Sequence, residues 1–220
     1  MIKIRLKTAI LELSWLDLRV WFAYLNIMAI RKIITVTDRR LKTISDPVDS
    51  VTDETRLLMD DMLETMYAAN GIGLAAIQIA VPKRILVMDL SHRGEDVPAD
   101  QDSDAEEVEP ALNAETGPRY FVNPEIIWAS DELNIYQEGC LSVPGFYDDV
   151  ARPKQCHVRF LDYHGKEQVL ECDGLLATCL QHEMDHLNGI VFLDHLSRLK
   201  RDRITKKLKK EERDAITVDR

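Results

Sequence analysis

The stretch Gln181-His182-Glu183-Met184-Asp185-His186-Leu187-Asn188-Gly189 constrains this chain more than any other. It contains H-E-x-x-H, which carries chemistry only on a helix, where His182 and His186 stand four residues apart on one face with Glu183 beside them. The flanking residues predict that helix. Asp173 is placed to cap its start, Leu176, Cys179 and Leu180 supply an apolar stripe, and Gly189 is a natural stop. Both histidines then point into the core. They are either a satisfied core pair or two ligands of a metal ion, and a third ligand decides between these readings.

A histidine three residues beyond the glycine would complete the metzincin pattern, but Phe192 holds that place. Glu211 and Glu212, the downstream glutamates, lie in a charged tail, and His195 falls just past the helix. The stronger candidate lies upstream in Glu138-Gly139-Cys140-Leu141-Ser142-Val143-Pro144-Gly145. Cys140 follows a glycine and precedes a proline turn, so its sulfur can be presented at a set angle to the helix. One thiolate and two imidazoles leave a tetrahedral position open for water, the mark of a catalytic metal site. Cys140 could instead be an inert buried thiol or a nucleophile with a histidine base. Cys172 or Cys179 as a fourth ligand would close the site and make it structural.

At 220 residues and 45% hydrophobic content the chain suits one catalytic domain. Its net charge of -10 argues against a general nucleic-acid binder. Four cysteines without a C-x-x-C pair, and no secretory signal, fit a reducing cytoplasm. Residues 1–27 form an appendage in which Glu12, Asp17 and Arg19 interrupt the apolar run, so it is neither an export signal nor a spanning helix. Thr52-Asp53-Glu54 opens a helix with Leu58, Met62, Leu63 and Met66 on its buried face, and Asn70-Gly71 ends it. In Gly71-Ile72-Gly73-Leu74-Ala75-Ala76-Ile77-Gln78 the two glycines allow close backbone approach, and Gln78 is a lone polar group; Ala76 breaks the G-x-G-x-x-G phosphate fingerprint.

Residues 91–118 carry nine acidic residues, Glu95, Asp96, Asp100, Asp102, Asp104, Glu106, Glu107, Glu109 and Glu115, and read as a surface insertion. Strands are predicted at Ile85–Leu90, Tyr120–Trp128 and Leu133–Tyr136, with a hairpin around His164-Gly165. The fold class is therefore α+β, with mixed or antiparallel strands around a central metal-binding helix. Residues 200–220 form a basic helical tail behind a catalytic domain at 28–199.

Three stretches in one order, GIGLAAIQ, EGCLSVPG and QHEMDHLNG, resemble the signature motifs of the peptide deformylase family without a departure inside any of them. The resemblance extends from about Met28 to Leu199. It implies an enzyme that removes the formyl group from the N-terminal formyl-methionine of newly synthesised proteins by attack of metal-bound hydroxide. It further implies Cys140, His182 and His186 as metal ligands, Glu183 as general base and acid, and Gln78 with the Leu141 backbone N–H as oxyanion donors. By the same resemblance Gly73 pairs with the substrate backbone, and Ile72, Tyr136, Leu175 and Cys179 line the methionine pocket. The implied ion is one Fe²⁺ per chain, replaceable by Zn²⁺, Ni²⁺ or Co²⁺, and the expected partners are nascent formyl-methionyl chains. Because such an enzyme meets its substrates at the ribosome, the basic tail is expected to dock on ribosomal RNA, and no membrane contact is expected. Two rival classes remain: a zinc endopeptidase cleaving internal amides, and a silent metal-stabilised binding module.

Overall fold

A computed structural model of the chain describes residues 29–92 and 117–218. The expected appendage at 1–27 and nearly all of the acidic insertion lie outside the described residues.

Helix α1, Asp53–Ala68, starts where the acidic first turn predicts. Thr52 caps it by accepting from the Thr55 N–H at 3.3 Å, and Thr55 answers through its own hydroxyl, taking the place usually held by Glu in such a box. The helix ends at Ala68 with Ala69 as its C-cap, and Asn70, at a φ of 54°, turns the chain into the glycine-flanked segment. Among the described residues seven strands follow in two sheets. β1 (Gly73–Ala75), β2 (Ile85–Met88), β3 (Arg119–Ala129), β6 (Gln155–Leu161) and β7 (Glu167–Asp173) form one five-stranded sheet in the order β1-β2-β3-β6-β7. β4 (Leu133–Gly139) and β5 (Tyr147–Pro153) form a separate two-stranded ribbon. Every pairing between these strands is antiparallel. β5 carries no apolar alternation strong enough to be read from its sequence, Tyr-Asp-Asp-Val-Ala-Arg-Pro, and it exists by pairing with β4.

β2 shows how the large sheet is held. All four of its residues are buried, because helices cover both faces. Successive side chains alternate across a strand. Ile85 and Val87 therefore pack with Met59, Met62 and Met66 of α1, while Leu86 and Met88 pack with Leu180, Met184 and Leu187 of helix α2, Gly174–Leu187. The methionines at helical spacing in α1 are thus core filling. α2 lies against strands of both sheets and is the central element. Its N-cap residue is Asp173 as expected, but the Asp173 side chain makes no capping hydrogen bond. At the far end Asn188 closes the helix, and Gly189, at φ 72°, passes so near the Lys42 carbonyl that an added Cβ would stand 2.7 Å from its oxygen.

The basic tail is helix α3, Arg198–Val218. Ile204 and Leu208 are buried in a third cluster with Val143, Val150, Val191, Phe192 and Leu193. Lys207 lies 4.9 Å above the Phe146 ring, and the Glu212 carboxylate accepts hydrogen bonds from Thr35 and Thr37. One face of α3 is therefore docked on the body, while Arg203, Lys206, Lys209 and Lys210 remain exposed on the other. Among the described residues no helix is long and apolar enough to cross a membrane.

Candidate active site

α2 brings His182 and His186 into the core as the i, i+4 spacing requires, with 7% and 0% of their surfaces exposed. Cys140 follows the last residue of β4, where the ribbon turns toward α2. Its Sγ comes to 3.2 Å from His186 Nε2. The ligand atoms of Cys140, His182 and His186 all lie within 4.8 Å of one another. Two donors bound tetrahedrally to one ion with bonds of 2.0–2.3 Å stand roughly 3.5 Å apart, so this cluster fits a metal ion in size as well as chemistry. His195, Glu212, Cys172 and Cys179 do not join it. His195 bonds Asp185 at 2.7 Å, Glu212 is held by Thr35 and Thr37, and Cys172 lies opposite Cys156 in the β6–β7 pairing. Cys179 is buried in the hydrophobic cluster under α2, where loss of solvent pushes its thiol well above the usual range.

Glu183 is 4% exposed and packs against β1. Burial raises its pKa to about 7, against which the neighbouring His182 and Arg152 work only partly. Its Oε2 has no protein hydrogen-bond partner among the described residues, which leaves that oxygen able to accept from water. Gln78 is 1% exposed and sits in the 3-10 turn Ala76–Ile79. The Ala75 N–H donates to Gln78 Oε1 at 2.7 Å, which orients the amide so that Nε2 faces Cys140 Sγ at 3.5 Å and Ser142 Oγ at 3.2 Å. An otherwise apolar stretch thus carries one donor aimed at the Cys140 sulfur. Leu141 is half-buried directly after Cys140. Ile72 packs on the cluster that holds Cys179, Leu175 is half-buried in the first turn of α2, and the Tyr136 hydroxyl faces Gly174.

Four residues to which the sequence assigned no role complete the surroundings. Glu138 Oε2 is 2.7 Å from His182 Nδ1, a contact that holds the ring with Nε2 turned the other way. Arg152, on β5, donates to both oxygens of Glu138 at 2.5 and 3.0 Å and to Asp185 at 2.8 Å. Although burial of Glu138 opposes its charge, the hydrogen bonds from His182 and Arg152 win and hold its pKa at about 2. Ser142, fully buried, donates its backbone N–H to Cys140 Sγ at 3.4 Å. Glu138, Ser142 and Asp185 stand inside the motif stretches, so their position was a signal; Arg152 had none, because its partners are 14 and 33 residues away in sequence.

An α+β body wrapped around an H-E-x-x-H helix with a cysteine as third ligand-type residue defines a metal-dependent hydrolase. Comparison with known proteins gives the family. The polypeptide deformylase family model matches residues 30–202. A peptide deformylase of Phenylobacterium zucineum is 56% identical over 183 residues, covering 83% of this chain and 97% of the relative. A crystal structure of peptide deformylase from Ehrlichia chaffeensis superposes with a TM-score of 0.74 at 45% identity, covering 86% of this chain and 99% of that one. The same enzyme in complex with actinonin gives 0.72 at 46% identity, covering 84% and 99%. The chain belongs to the polypeptide deformylase family, and its activity is hydrolysis of the formyl group from the N-terminal formyl-methionine of newly made proteins.

Proposed function

We propose that Cys140, His182 and His186 hold the metal, that Glu183 moves the protons, and that Gln78 and the Leu141 N–H receive the oxyanion. The observation that carries this division of labour is the convergence of a soft sulfur and two imidazoles beside a buried carboxylate with an unpartnered oxygen. Thiolate and imidazole donors suit Fe²⁺, with Zn²⁺, Ni²⁺ or Co²⁺ as substitutes, one ion per chain. When bound, the ion polarises the formyl oxygen and lowers the pKa of a water molecule. Glu183 takes the water proton at Oε2, the oxygen that no described protein group occupies, and holds it for return to the leaving amine. Gln78 Nε2 donates to the developing oxyanion, an interaction that strengthens toward the transition state. Glu183 then protonates the departing amine, the C–N bond breaks, and formate leaves with the former water oxygen. Gly73 pairs with the substrate backbone along β1, and Ile72, Tyr136, Leu175 and Cys179 line the methionine pocket.

The polypeptide is organised as an appendage at 1–27, a catalytic domain at 28–199 carrying the acidic surface insertion 91–118, and the basic helical tail at 200–220. It works in the cytoplasm, where formylated chains emerge. The exposed cations of α3 contact ribosomal RNA through phosphates. Removing the helix is a poor test of that contact, since Ile204 and Leu208 would uncover Val143 and Phe192. Reversal of Arg203, Lys206, Lys209 and Lys210 to Glu keeps the docked face. Such a variant should lose salt-sensitive ribosome cosedimentation while retaining turnover of a free peptide; undiminished cosedimentation refutes the contact. For the chemistry, protein purified without oxygen should carry iron and hydrolyse a formyl-Met peptide but neither its acetylated twin nor an internal amide. Cleavage of the internal amide would favour an endopeptidase, and no turnover with metal bound would favour a silent module.

A further inference from the structure

Gly73 stands where β1 passes the catalytic end of α2. Its φ is not in the left-handed region, so the backbone does not demand glycine. Space does. A Cβ built on Gly73 would fall 2.5 Å from Glu183 Oε1 and 3.0 Å from both Cδ and Cγ of the same side chain. Ordinary contact begins near 3.4 Å, so the carboxyl would have to retreat by almost 1 Å. Because Cγ is crowded along with the carboxyl tip, swinging the terminal group alone does not clear the overlap. The side chain has few alternatives, since it is buried on a helix where only two of the three χ1 wells are open. Gly71, two residues earlier, differs: its Cβ would press chiefly on the flexible tip of Leu141.

We infer that Gly73 is a positioning residue for Glu183: the missing side chain is the mould that sets where the Glu183 carboxylate stands. This rests on the reading of Glu183 as general base. It is separable from strand pairing with substrate, because alanine keeps the N–H and C=O that such pairing uses, and its Cβ points at Glu183. Displacing a catalytic group by about 1 Å costs on the order of 10²-fold in rate.

The test is a double-mutant cycle on the metal-loaded full chain, with metal content and thermal midpoint measured for each variant. Gly73→Ala should lower kcat by about 10²-fold, leave KM within about twofold, and keep its metal. Glu183→Asp, one methylene shorter, removes the 2.5 Å overlap at the carboxyl tip and leaves contacts near 3.0 Å, which a shift of a few tenths of an ångström clears. In the Glu183→Asp background, adding Gly73→Ala should therefore change kcat by less than about threefold. Losses that multiply, a Gly73→Ala enzyme at the wild-type rate, or loss of metal in Gly73→Ala would overturn the inference. Should Gly73→Ala fail to fold, recovery of soluble protein in the double variant supports the clash, and failure of both refutes it. A fully active Glu183→Ala would instead bring down the general-base reading itself, an outcome distinct from a multiplicative cycle in which Glu183→Ala is dead.

Discussion

Arg152→Met should unfold this protein more easily than any surface charge change, and should loosen the metal as well. The Arg152 side chain is 5% exposed and is shared between Glu138, also 5% exposed, and Asp185. Methionine fills similar space but leaves the Glu138 charge buried beside His182 alone. Removing one partner of a buried ion pair costs about 3–5 kcal/mol, because the remaining charge stays desolvated. For a domain of this size each kcal/mol lowers Tm by roughly 2–4 °C, so a drop of about 6–20 °C is expected. Glu138 also holds His182 through Nδ1 at 2.7 Å, and loosening such a support weakens metal binding by about 10–100-fold. Arg159 is the control. It pairs with Glu125 at 2.7 Å, but the two side chains are 47% and 62% exposed, and such pairs contribute at most about 1 kcal/mol. The assays are urea denaturation and chelator competition on both variants. If Arg152→Met stays within about 1 kcal/mol of the wild type and indistinguishable from Arg159→Met, the buried network is not what joins the ribbon to α2.

Three further outcomes are expected. Gln78→Ala should lower kcat by about 10²–10³ with little change in KM in steady-state assays, and a wild-type rate would move the oxyanion donor elsewhere. Cys140→Ala should emerge without metal by elemental analysis, whereas Glu183→Ala should keep its metal and lose most turnover; a metal-free Glu183→Ala would make Glu183 a ligand. Asp194 is held below the usual carboxylate range: burial raises its pKa, but Lys42, the Val191 N–H and Arg201 together outweigh that. A lowered folded-state pKa means stability present above the unfolded value of about 3.9 and lost as pH falls through the folded value. The urea-midpoint deficit of Asp194→Asn should therefore be full at pH 7 and shrink progressively as pH falls below the unfolded value of about 3.9 and through the lower folded one, and a deficit independent of pH would show that it does not arise from charge.

Local regularities were legible from the sequence. The i, i+4 spacing put His182 and His186 on one face of α2, apolar spacing marked the buried face of α1, and Asn70-Gly71 marked its end, since each depends on residues within one or two turns. β5 was missed for the complementary reason: its seven residues carry no alternation of their own, and a ribbon strand is decided by its partner, here from Leu133↔Pro153 to Gly139↔Tyr147. The tail illustrates both cases. Its excess of cations was plain, but only the packed structure shows that Ile204, Leu208 and Glu212 dock one face and leave the cations on the other.

Within the site, the sequence by itself determined which residue types were available and where their backbones are compliant. It named a thiol, two imidazoles and a carboxylate, and it marked Gly73 as a place of close approach without saying what approaches. Tertiary structure decided the rest. It brought Cys140 to within 3.2 Å of His186 across 46 residues of chain, set Glu138 and Arg152 behind His182, and placed the Glu183 carboxyl in the space that a side chain at Gly73 would fill. The physical reason is range. Helix and turn signals act over a few residues through backbone geometry, whereas these distances follow from how α2, β1 and the β4–β5 ribbon pack around shared side chains, which no periodicity along the chain encodes.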